Sequence, residues 1–261
     1  MTTLEGAART LSSEARGLRV IVSGASGGIG SALVEHLVAL DCAVAAVDMA
    51  FDQSHFPDSR LITRHIADLR DWDATEQAIQ GAVESMDGCD AVIANAAIVD
   101  TLHRAERFSR EDWYSDIDVN LTGAYRLAQC CFPALKQAGR GRLVFISSIA
   151  ATMGQPAQIA YAASKAGLIG IARTLAVEWA PYGITTNVVL PGLIATPKVS
   201  RLGQSVRNEY MTRIPLARFG LPAEIAGTVA FVLSPAAGYL NGAVIAVDGG
   251  FGLNNLALTT K

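Results

Sequence analysis

The sequence predicts a doubly wound α/β fold, in which a parallel sheet is flanked by helices within a single domain. Apolar runs of strand length alternate along the chain with segments whose apolar residues recur at helical spacing. Most of the strand runs are continuously apolar, which is typical of strands buried on both faces of a parallel sheet. No stretch rich in Ser, Gly or Pro divides the 261 residues, so we expect one domain over residues 18–261.

The elements follow one another in a regular order. The first strand, residues 18–23, reads Leu-Arg-Val-Ile-Val-Ser; a glycine cluster follows it, and residues 31–40 have helical period. Six further strands are predicted at residues 43–47, 61–66, 91–94, 143–147, 185–190 and 243–247. Further helices are predicted at residues 71–86, 110–137, 159–180 and 222–233. Strands interleaved with helices in this way predict a seven-stranded parallel sheet.

Two segments lie outside this alternation. Residues 1–17 scatter charges among small polar residues, lack the apolar centre of a signal peptide, and are expected to form a flexible N-terminal arm. Residues 192–215 have no clean period and follow a predicted strand. Because ligands bind at the carboxyl ends of parallel strands, we expect a substrate lid over about residues 193–215, with a disordered crossover as the alternative.

Composition and charge exclude several classes of protein. Hydrophobic residues make up 51% of the chain and charged residues 17%, which excludes a disordered chain. The net charge of −3 offers no basic surface for nucleic acid. Charges interrupt the apolar stretches well before they reach the length of a membrane span. We therefore expect a cytoplasmic protein that binds a small-molecule substrate and neither nucleic acid nor membrane.

Cysteine and histidine spacing predicts neither a disulfide framework nor a metal site. The cysteines form no Cys-x-x-Cys pair and two of them are adjacent, which is typical of reduced thiols in a cytosolic protein. The histidines fall in no ligand spacing. The residues concerned are Cys42, Cys89, Cys130, Cys131, His36, His55, His65 and His103.

A glycine-rich turn joins the first strand to the first helix. Gly24, Gly28 and Gly30 leave room for backbone amides and a helix N-terminus to approach a pyrophosphate. Tight turns without a ligand also use glycine. Asp48 ends the second strand, where a carboxylate hydrogen-bonds an adenosine ribose and repels a 2′-phosphate. The pattern favours NAD over NADP; a solvated acid at a strand end is the alternative.

Tyr161 and Lys165 lie four residues apart in a predicted helix and so share one face. A cation about 4 Å from the phenol, at an effective dielectric near 20, contributes roughly 4 kcal/mol, or about three pK units, in favour of phenolate. This would bring the tyrosine pKa close to neutral, where a general acid or base is most useful. Such a pair on a solvated helix is also a common coincidence.

These residues together identify a family resemblance. The turn over residues 23–30, Asn95-Ala96-Ala97, Asn120, Ser147-Ser148, Tyr161 with Lys165, and Pro191-Gly192 with Thr196 occur in the order seen in short-chain dehydrogenases/reductases. The chain resembles that family from about residue 18 to residue 251. The resemblance implies a Rossmann-type fold and a nicotinamide cofactor.

The resemblance also implies four catalytic roles. Tyr161 would give or take the alcohol proton, and Ser148 would orient the carbonyl oxygen. Lys165 would hold the nicotinamide ribose and lower the tyrosine pKa. Asn120 would lie in a distorted helical turn and hold a water that links the lysine to solvent.

Further residues are implied around the cofactor and the substrate. Those expected around the adenosine, pyrophosphate and nicotinamide are Gly24, Ser26, Gly28, Ile29, Gly30, Asp48, Asp68, Leu69, Asn95, Ala96, Tyr161, Lys165, Pro191, Gly192, Ile194 and Thr196. Those expected around the substrate are Ser148, Ile149, Met153, Gln155, Tyr161 and Leu193. Most of the second set is apolar, which favours a hydrophobic or ring-bearing substrate.

The resulting hypothesis is an NAD-dependent oxidoreductase that interconverts a secondary alcohol and its ketone. One alternative is a 3-oxoacyl-thioester reductase, which residues 140–250 resemble; that branch usually takes NADP and docks an acidic carrier through basic residues. Arg126 could serve such docking, but Val177 lies where a second arginine is expected. An NAD-binding sensor without turnover is the alternative of another class. Apolar residues on more than one side of the two long helices predict a homotetramer, or at least a dimer.

Overall fold

Seven parallel strands form one sheet in the computed structural model, which describes residues 15–52, 59–99 and 102–253. The strands are β1 Arg19–Ser23, β2 Ala43–Asp48, β3 Ile62–Ile66, β4 Ala91–Ala94, β5 Arg142–Ile146, β6 Thr185–Pro191 and β7 Val244–Val247. Their order across the sheet is β3-β2-β1-β4-β5-β6-β7. The order reverses direction between β1 and β4, so the predicted doubly wound fold is confirmed.

Helices cover both faces of this sheet. The α-helices of the described residues are α1 Gly28–Ala39, α2 Trp72–Met86, α3 Arg110–Ile117, α4 Ala124–Ala138, α5 Ala150–Met153, α6 Ile159–Glu178, α7 Pro197–Ser200, α8 Gln204–Arg213 and α9 Pro222–Leu233. A π-helical turn, Asp118–Gly123, joins α3 to α4. Among the helices of the described ranges, none is both long and apolar enough to cross a membrane.

The core consists of two apolar layers, one on each face of the sheet. Ile21 of β1 packs in the layer formed with α2, α4 and α6, whereas its neighbours Val20 and Val22 pack in the layer with α1 and α9. Successive side chains of a strand point to opposite faces. Because both faces are covered, both sets of positions are apolar, which explains the continuously apolar strand runs in the sequence.

Two predicted segments differ from the structure. The predicted helix over residues 110–137 is interrupted by the π turn at Asp118–Gly123. The predicted lid contains α7 and α8 instead of irregular chain. α7 begins with Pro197 behind Thr196, whose side chain accepts a hydrogen bond from the Val199 amide. No residue of α8 is buried, so this helix has no apolar stripe to reveal it.

The predicted arm also ends earlier than expected. Ala15 is buried, and its carbonyl oxygen accepts a hydrogen bond from the Cys42 thiol at 3.0 Å. The Gly17 amide donates to the carbonyl of Leu40 at 3.2 Å. Residues 15–17 are therefore part of the packed domain, and residues 1–14 of the predicted arm lie outside the described residues.

Candidate active site

The glycine-rich turn lies at the carboxyl end of β1 and leads directly into α1. Gly24 has φ +62°, and a Cβ atom there would come within 2.6 Å of the Ala96 Cα. A Cβ on Gly30 would overlap the Gly24 carbonyl oxygen, and one on Gly28 would come within 2.9 Å of the Thr196 Cβ. Close approach to backbone atoms thus requires glycine at positions 24 and 30, and close approach to the Thr196 side chain favours it at position 28. The first turn of α1 carries no acidic residue that would oppose a pyrophosphate.

Asn95 fixes this turn from the neighbouring strand β4. Its side-chain amide donates to the carbonyls of Ser23 at 3.1 Å and Gly24 at 2.9 Å. The Ser23 hydroxyl in turn accepts hydrogen bonds from the Asn95 and Ala96 amides at 3.1 and 3.2 Å. The predicted cofactor residues Asn95 and Ala96 therefore lie beside the turn, and the Asn95 side chain serves to hold it.

Asp48 occupies the carboxyl end of β2, next to the same turn. Its Oδ2 accepts a hydrogen bond from the Ser26 amide at 2.8 Å, and its Oδ1 accepts one from the Met49 amide at 2.7 Å. The Ser26 hydroxyl donates to the Ala50 carbonyl at 2.9 Å. Each carboxylate oxygen retains a lone pair for a further donor, so Asp48 is both fixed in orientation and able to accept a ribose hydroxyl.

Asp68 and Leu69 follow β3 at the same edge of the sheet. The Asp68 carboxylate forms a two-pronged pair with Arg70, with nitrogen–oxygen distances of 3.0 and 2.6 Å. That hydrogen-bonded pair lowers the pKa of Asp68. The Leu69 carbonyl accepts a hydrogen bond from the buried Arg126 guanidinium. The sequence did not predict the arginine partner of Asp68, which leaves less of that carboxylate for an adenine.

Ser148 and Tyr161 come together beyond the end of β5. Ser148 lies in the loop after that strand, Tyr161 lies in the first turn of α6, and the Ser148 hydroxyl is close enough to the phenol to lower its pKa. The Ile149 amide donates to the Pro191 carbonyl at 3.1 Å, which ties the serine loop to the end of β6. Two hydroxyl groups are thereby held in position to contact one substrate oxygen.

Lys165 lies one helical turn after Tyr161 and is only 2% exposed. Its Nζ donates to the Ile146 carbonyl at 2.9 Å and lies 5.8 Å from the centroid of the Tyr161 ring. Burial lowers the pKa of Lys165 to about 7. Removing an ammonium from water disfavours its charged form, so Lys165 is partly deprotonated at pH 7.

The expected lowering of the tyrosine pKa by the lysine is therefore wrong, because the pKa of Tyr161 is raised. Burial raises the pKa of Tyr161, a hydrogen bond with Ser148 opposes this effect, and the buried Asp116 carboxylate raises the pKa further. The i, i+4 spacing places the two side chains on one face, as predicted, but the ammonium is directed to the Ile146 carbonyl. Tyr161 is accordingly protonated at neutral pH.

Asn120 lies fully buried in the π turn, in agreement with the distorted turn that the resemblance implied. Its Oδ1 accepts a hydrogen bond from the Ile98 amide at 2.7 Å, and its Nδ2 donates to the Ile98 carbonyl at 2.8 Å. Both ends of the side chain thus tie the π turn to the segment after β4. The water implied by the resemblance stays a prediction, since each end of the side-chain amide keeps one further hydrogen-bonding position.

The segment after β6 meets the glycine turn from the other side. The Gly192 amide donates to the Val247 carbonyl at 3.0 Å, and a Cβ on Gly192 would come within 2.7 Å of the Asp248 Cα. Ile194 has a buried side chain, so its main chain is the part that a cofactor could contact. The Thr196 hydroxyl caps α7 as an acceptor and keeps its own hydrogen as a donor.

The predicted substrate residues fall into two groups. Met153 ends α5 and Gln155 follows it, both in the segment between Ser148 and Tyr161. Gln155 Nε2 is 3.3 Å from the Tyr210 hydroxyl of α8, and the Met153 sulfur is 3.6 Å from where a Gly252 Cβ would stand. Leu193 instead lines a cavity of about 470 Å³ whose described walls include none of the other predicted substrate residues.

Tyr210 and Phe251 were not predicted. Their ring centroids are 6.4 Å apart beside Gln155. Tyr210 belongs to a segment without period, and Phe251 follows the last strand outside any motif, so no sequence signal marked either residue.

Comparison with known proteins gives a consistent result. A family model described as enoyl-(acyl carrier protein) reductase matches residues 24–252. The 3-oxoacyl-(acyl-carrier-protein) reductase MabA of Mycobacterium tuberculosis is 36% identical over 236 residues, covering 90% of this chain and 93% of MabA. The (3R)-3-hydroxyacyl-CoA dehydrogenase of Rattus norvegicus is 35% identical over 251 residues, covering 90% of this chain and 96% of that protein. The crystal structure of levodione reductase matches with a TM-score of 0.85 at 28% identity, covering 91% of this chain and 98% of that chain.

A glycine turn suited to a dinucleotide, with a serine, a tyrosine and a lysine at the same sheet edge, defines a dinucleotide-dependent oxidoreductase. The residues present fit such a cofactor, because no acidic residue lies in the first turn of α1 and the Asp48 carboxylate keeps lone pairs for a ribose hydroxyl. The chain belongs to the short-chain dehydrogenase/reductase family. It is an oxidoreductase that uses a nicotinamide cofactor and acts on CH–OH groups.

Proposed function

We propose that this chain is an NADH-dependent enzyme that interconverts 3-oxoacyl and 3-hydroxyacyl thioesters. The observation that carries the proposal is the proximity of the Ser148 hydroxyl to the Tyr161 phenol, where it lowers the tyrosine pKa, so that one ketone oxygen could meet both hydroxyls. The printed activities of MabA and of the rat dehydrogenase support a 3-oxo or 3-hydroxyacyl substrate. The residues around the substrate predicted a hydrophobic or ring-bearing ketone, with a 3-oxoacyl thioester as the alternative. The relatives support the thioester.

The side chains divide the chemistry among them. A nicotinamide cofactor, when bound, supplies or accepts the hydride. Tyr161 donates its phenol proton to the carbonyl oxygen, and Ser148 donates a hydrogen bond to the same oxygen. Lys165 would donate a hydrogen bond to one ribose of the cofactor, and Asp48 would accept a hydrogen bond from a hydroxyl of the other ribose. Because the pKa of Tyr161 is raised by burial, the phenol holds the proton that reduction of a ketone consumes.

A thioester of coenzyme A fits this chain better than one carried by an acidic protein. Arg126, the predicted docking residue, is buried on α4, donates to the Leu69 carbonyl and lies 4.6 Å above the Trp72 ring. It also lies 3.7 Å from Asp118. Its charge is therefore used inside the domain, and Val177 on α6 is 76% exposed and apolar.

The proposal is tested by measuring kcat/KM with NADH for 3-oxobutyryl-CoA, for the same acyl group on acyl carrier protein, and for a cyclic ketone. We expect the CoA thioester to have the highest value. A higher value for the carrier protein would refute the CoA assignment, and a higher value for the cyclic ketone would refute the thioester as substrate.

Replacing Asp48 by Asn is expected to lower the preference for NADH over NADPH by about tenfold, or about 1.4 kcal/mol. The substitution removes the carboxylate charge that repels a 2′-phosphate while preserving the shape of the side chain. Fluorescence titration with both cofactors measures the change. Glu35→Gln removes an exposed acid from α1 and serves as the matched control. Tighter binding of NADPH than of NADH by the unaltered protein would contradict the cofactor assignment.

A second copy of the chain is the proposed partner of the outer faces of α4 and α6. Tyr125 on α4 and Val177 and Ile159 on α6 are exposed apolar side chains of these helices. Burying them against their counterparts would remove apolar surface from water. Light scattering after size exclusion is expected to give a tetramer or a dimer, and a monomer would contradict this assembly.

A further inference from the structure

The helix α8 contacts the catalytic loop through one tyrosine. The Tyr210 hydroxyl lies 3.3 Å from Gln155 Nε2, and Gln155 belongs to the loop that joins Ser148 to Tyr161. On its other side, the Tyr210 ring lies 6.4 Å from that of Phe251. Both Tyr210 and Gln155 are half-buried. The tyrosine therefore lies between the lid, the catalytic loop and the segment after β7.

The other side chains of α8 make contacts of a different kind. Gln204 bonds to Asn208, and Arg213 and Thr212 bond to Glu209, all within the helix. Within the part of the chain that the structure describes, Tyr210 is thus the α8 side chain that hydrogen-bonds to the catalytic loop. No residue of α8 is buried. Tyr210 is therefore held mainly by its hydrogen bond with Gln155 and its ring contact with Phe251.

The chemistry of the pair leaves one hydrogen-bond donor available. An amide nitrogen has no lone pair to offer, so Gln155 Nε2 donates and the Tyr210 oxygen accepts. The phenol hydrogen is not used in that bond, and no hydrogen bond donated by the Tyr210 hydroxyl is found among residues 15–52, 59–99 and 102–253. A carbonyl oxygen of a bound substrate would supply that acceptor.

We propose that Tyr210 is a specificity-determining residue whose phenol donates a hydrogen bond to the thioester carbonyl oxygen of the acyl substrate. Gln155 fixes the direction of this donor by occupying the phenol oxygen. Ser148 and Tyr161 hold the 3-oxo group of the same substrate. The inference rests on the proposed function, because it requires a substrate with a second carbonyl oxygen.

The test compares two ligands that differ in this one oxygen. They are 3-oxobutyryl-CoA and its thioether analogue 3-oxobutyl-CoA, which keeps the ketone and lacks the thioester carbonyl. For Tyr210→Phe we expect the KM of the thioester to rise about tenfold, the loss of one hydrogen bond, with kcat within about twofold. The analogue keeps the reducible ketone, and its KM is expected to be the same in the variant and in the unaltered protein.

Tyr239→Phe is the matched control, because it removes the same hydroxyl from a fully exposed tyrosine. In Gln155→Leu the KM of the thioester is expected to rise. In the double variant, Tyr210→Phe should raise this KM by a smaller factor than it does in the unaltered protein, because the two residues act together. Equal weakening of both ligands by Tyr210→Phe would show that the tyrosine only shapes the site, and an unchanged KM would refute any role. If the unaltered protein reduces no thioester, the proposed function itself fails.

Discussion

Tyr161→Phe is expected to lower kcat by about 10³-fold, because it removes the proton donor of the reaction while preserving the ring. The Ser148 hydroxyl remains beside the substrate oxygen, but its proton is far less acidic than a phenol proton. Burial raises the pKa of Tyr161, so the donor is protonated across the neutral range and the loss should be similar throughout it. Steady-state reduction of 3-oxobutyryl-CoA measures the effect.

Two further measurements distinguish a loss of kcat in the chemical step from a loss of cofactor binding. NADH titration of Tyr161→Phe should give an affinity close to that of the unaltered protein, since the fold and the glycine turn are intact. Ser148→Ala should reduce kcat by about 10²-fold, because it removes an orienting hydrogen bond and leaves the proton donor. Unchanged turnover in Tyr161→Phe would contradict the catalytic assignment. If neither the unaltered protein nor any variant shows turnover, an NAD-binding sensor is favoured instead.

Lys165→Met is expected to abolish turnover and at the same time to stabilise the ligand-free protein by about 2 kcal/mol at pH 7. The pKa of Lys165 falls from 10.5 to about 7 on burial, which corresponds to a folding penalty of roughly 4 kcal/mol at this pH. Methionine removes the penalty but leaves the Ile146 carbonyl without its donor, which costs about 1–3 kcal/mol. Chemical denaturation measures the net change.

The pH dependence of the free energy of unfolding tests the same burial penalty of Lys165. Between pH 7 and 10.5 the unfolded chain keeps the lysine proton that the folded protein has released. The unfolded state therefore binds more protons, and the free energy of unfolding rises with pH in this window, by about 2 kcal/mol from pH 7 to pH 9 from this residue. Lys165→Met should lack that contribution.

Lys136→Met is the matched control for this prediction. Lys136 is exposed on α4, with its ammonium 4.6 Å from the centroid of the Tyr182 ring, so the same substitution there removes a lysine that is not buried. Its pH dependence of stability should equal that of the unaltered protein. A Lys165→Met protein that is less stable than the unaltered one at pH 7, with the same pH dependence, would show that the lysine is buried without penalty.

The fold was predictable because burial on both faces of the sheet makes the strands continuously apolar and gives the covering helices apolar residues at helical spacing. β4 and α9 have the predicted bounds, and the other strands begin and end within one residue of their predicted bounds. The first helix begins at Gly28, earlier than the predicted residue 31, because glycines of the turn do not show helical period. The exposed helix α8 could not be predicted from a pattern that depends on burial.

The candidate site was predictable as a set of residues but less so as a set of contacts. Spacing placed Tyr161 and Lys165 on one face, yet it could not show that the ammonium faces the carbonyl of Ile146, which belongs to β5. Arg126 was predicted as a docking residue, whereas a carbonyl after β3 and the Trp72 ring of α2 enclose its guanidinium. Tyr210 meets Gln155 across 55 residues of sequence, and no local pattern encodes that contact.

The most direct test of the account is whether the enzyme reduces a ketone or a carbon–carbon double bond. The matching family model is described as an enoyl reductase, whereas the paired hydroxyls of Ser148 and Tyr161 suit a ketone oxygen. The measurement is NADH oxidation with 3-oxobutyryl-CoA and with 2-butenoyl-CoA, with the products identified by mass spectrometry. We predict 3-hydroxybutyryl-CoA from the first and no reduction of the second. Formation of butyryl-CoA from the second substrate, with the first left unchanged, would contradict the account.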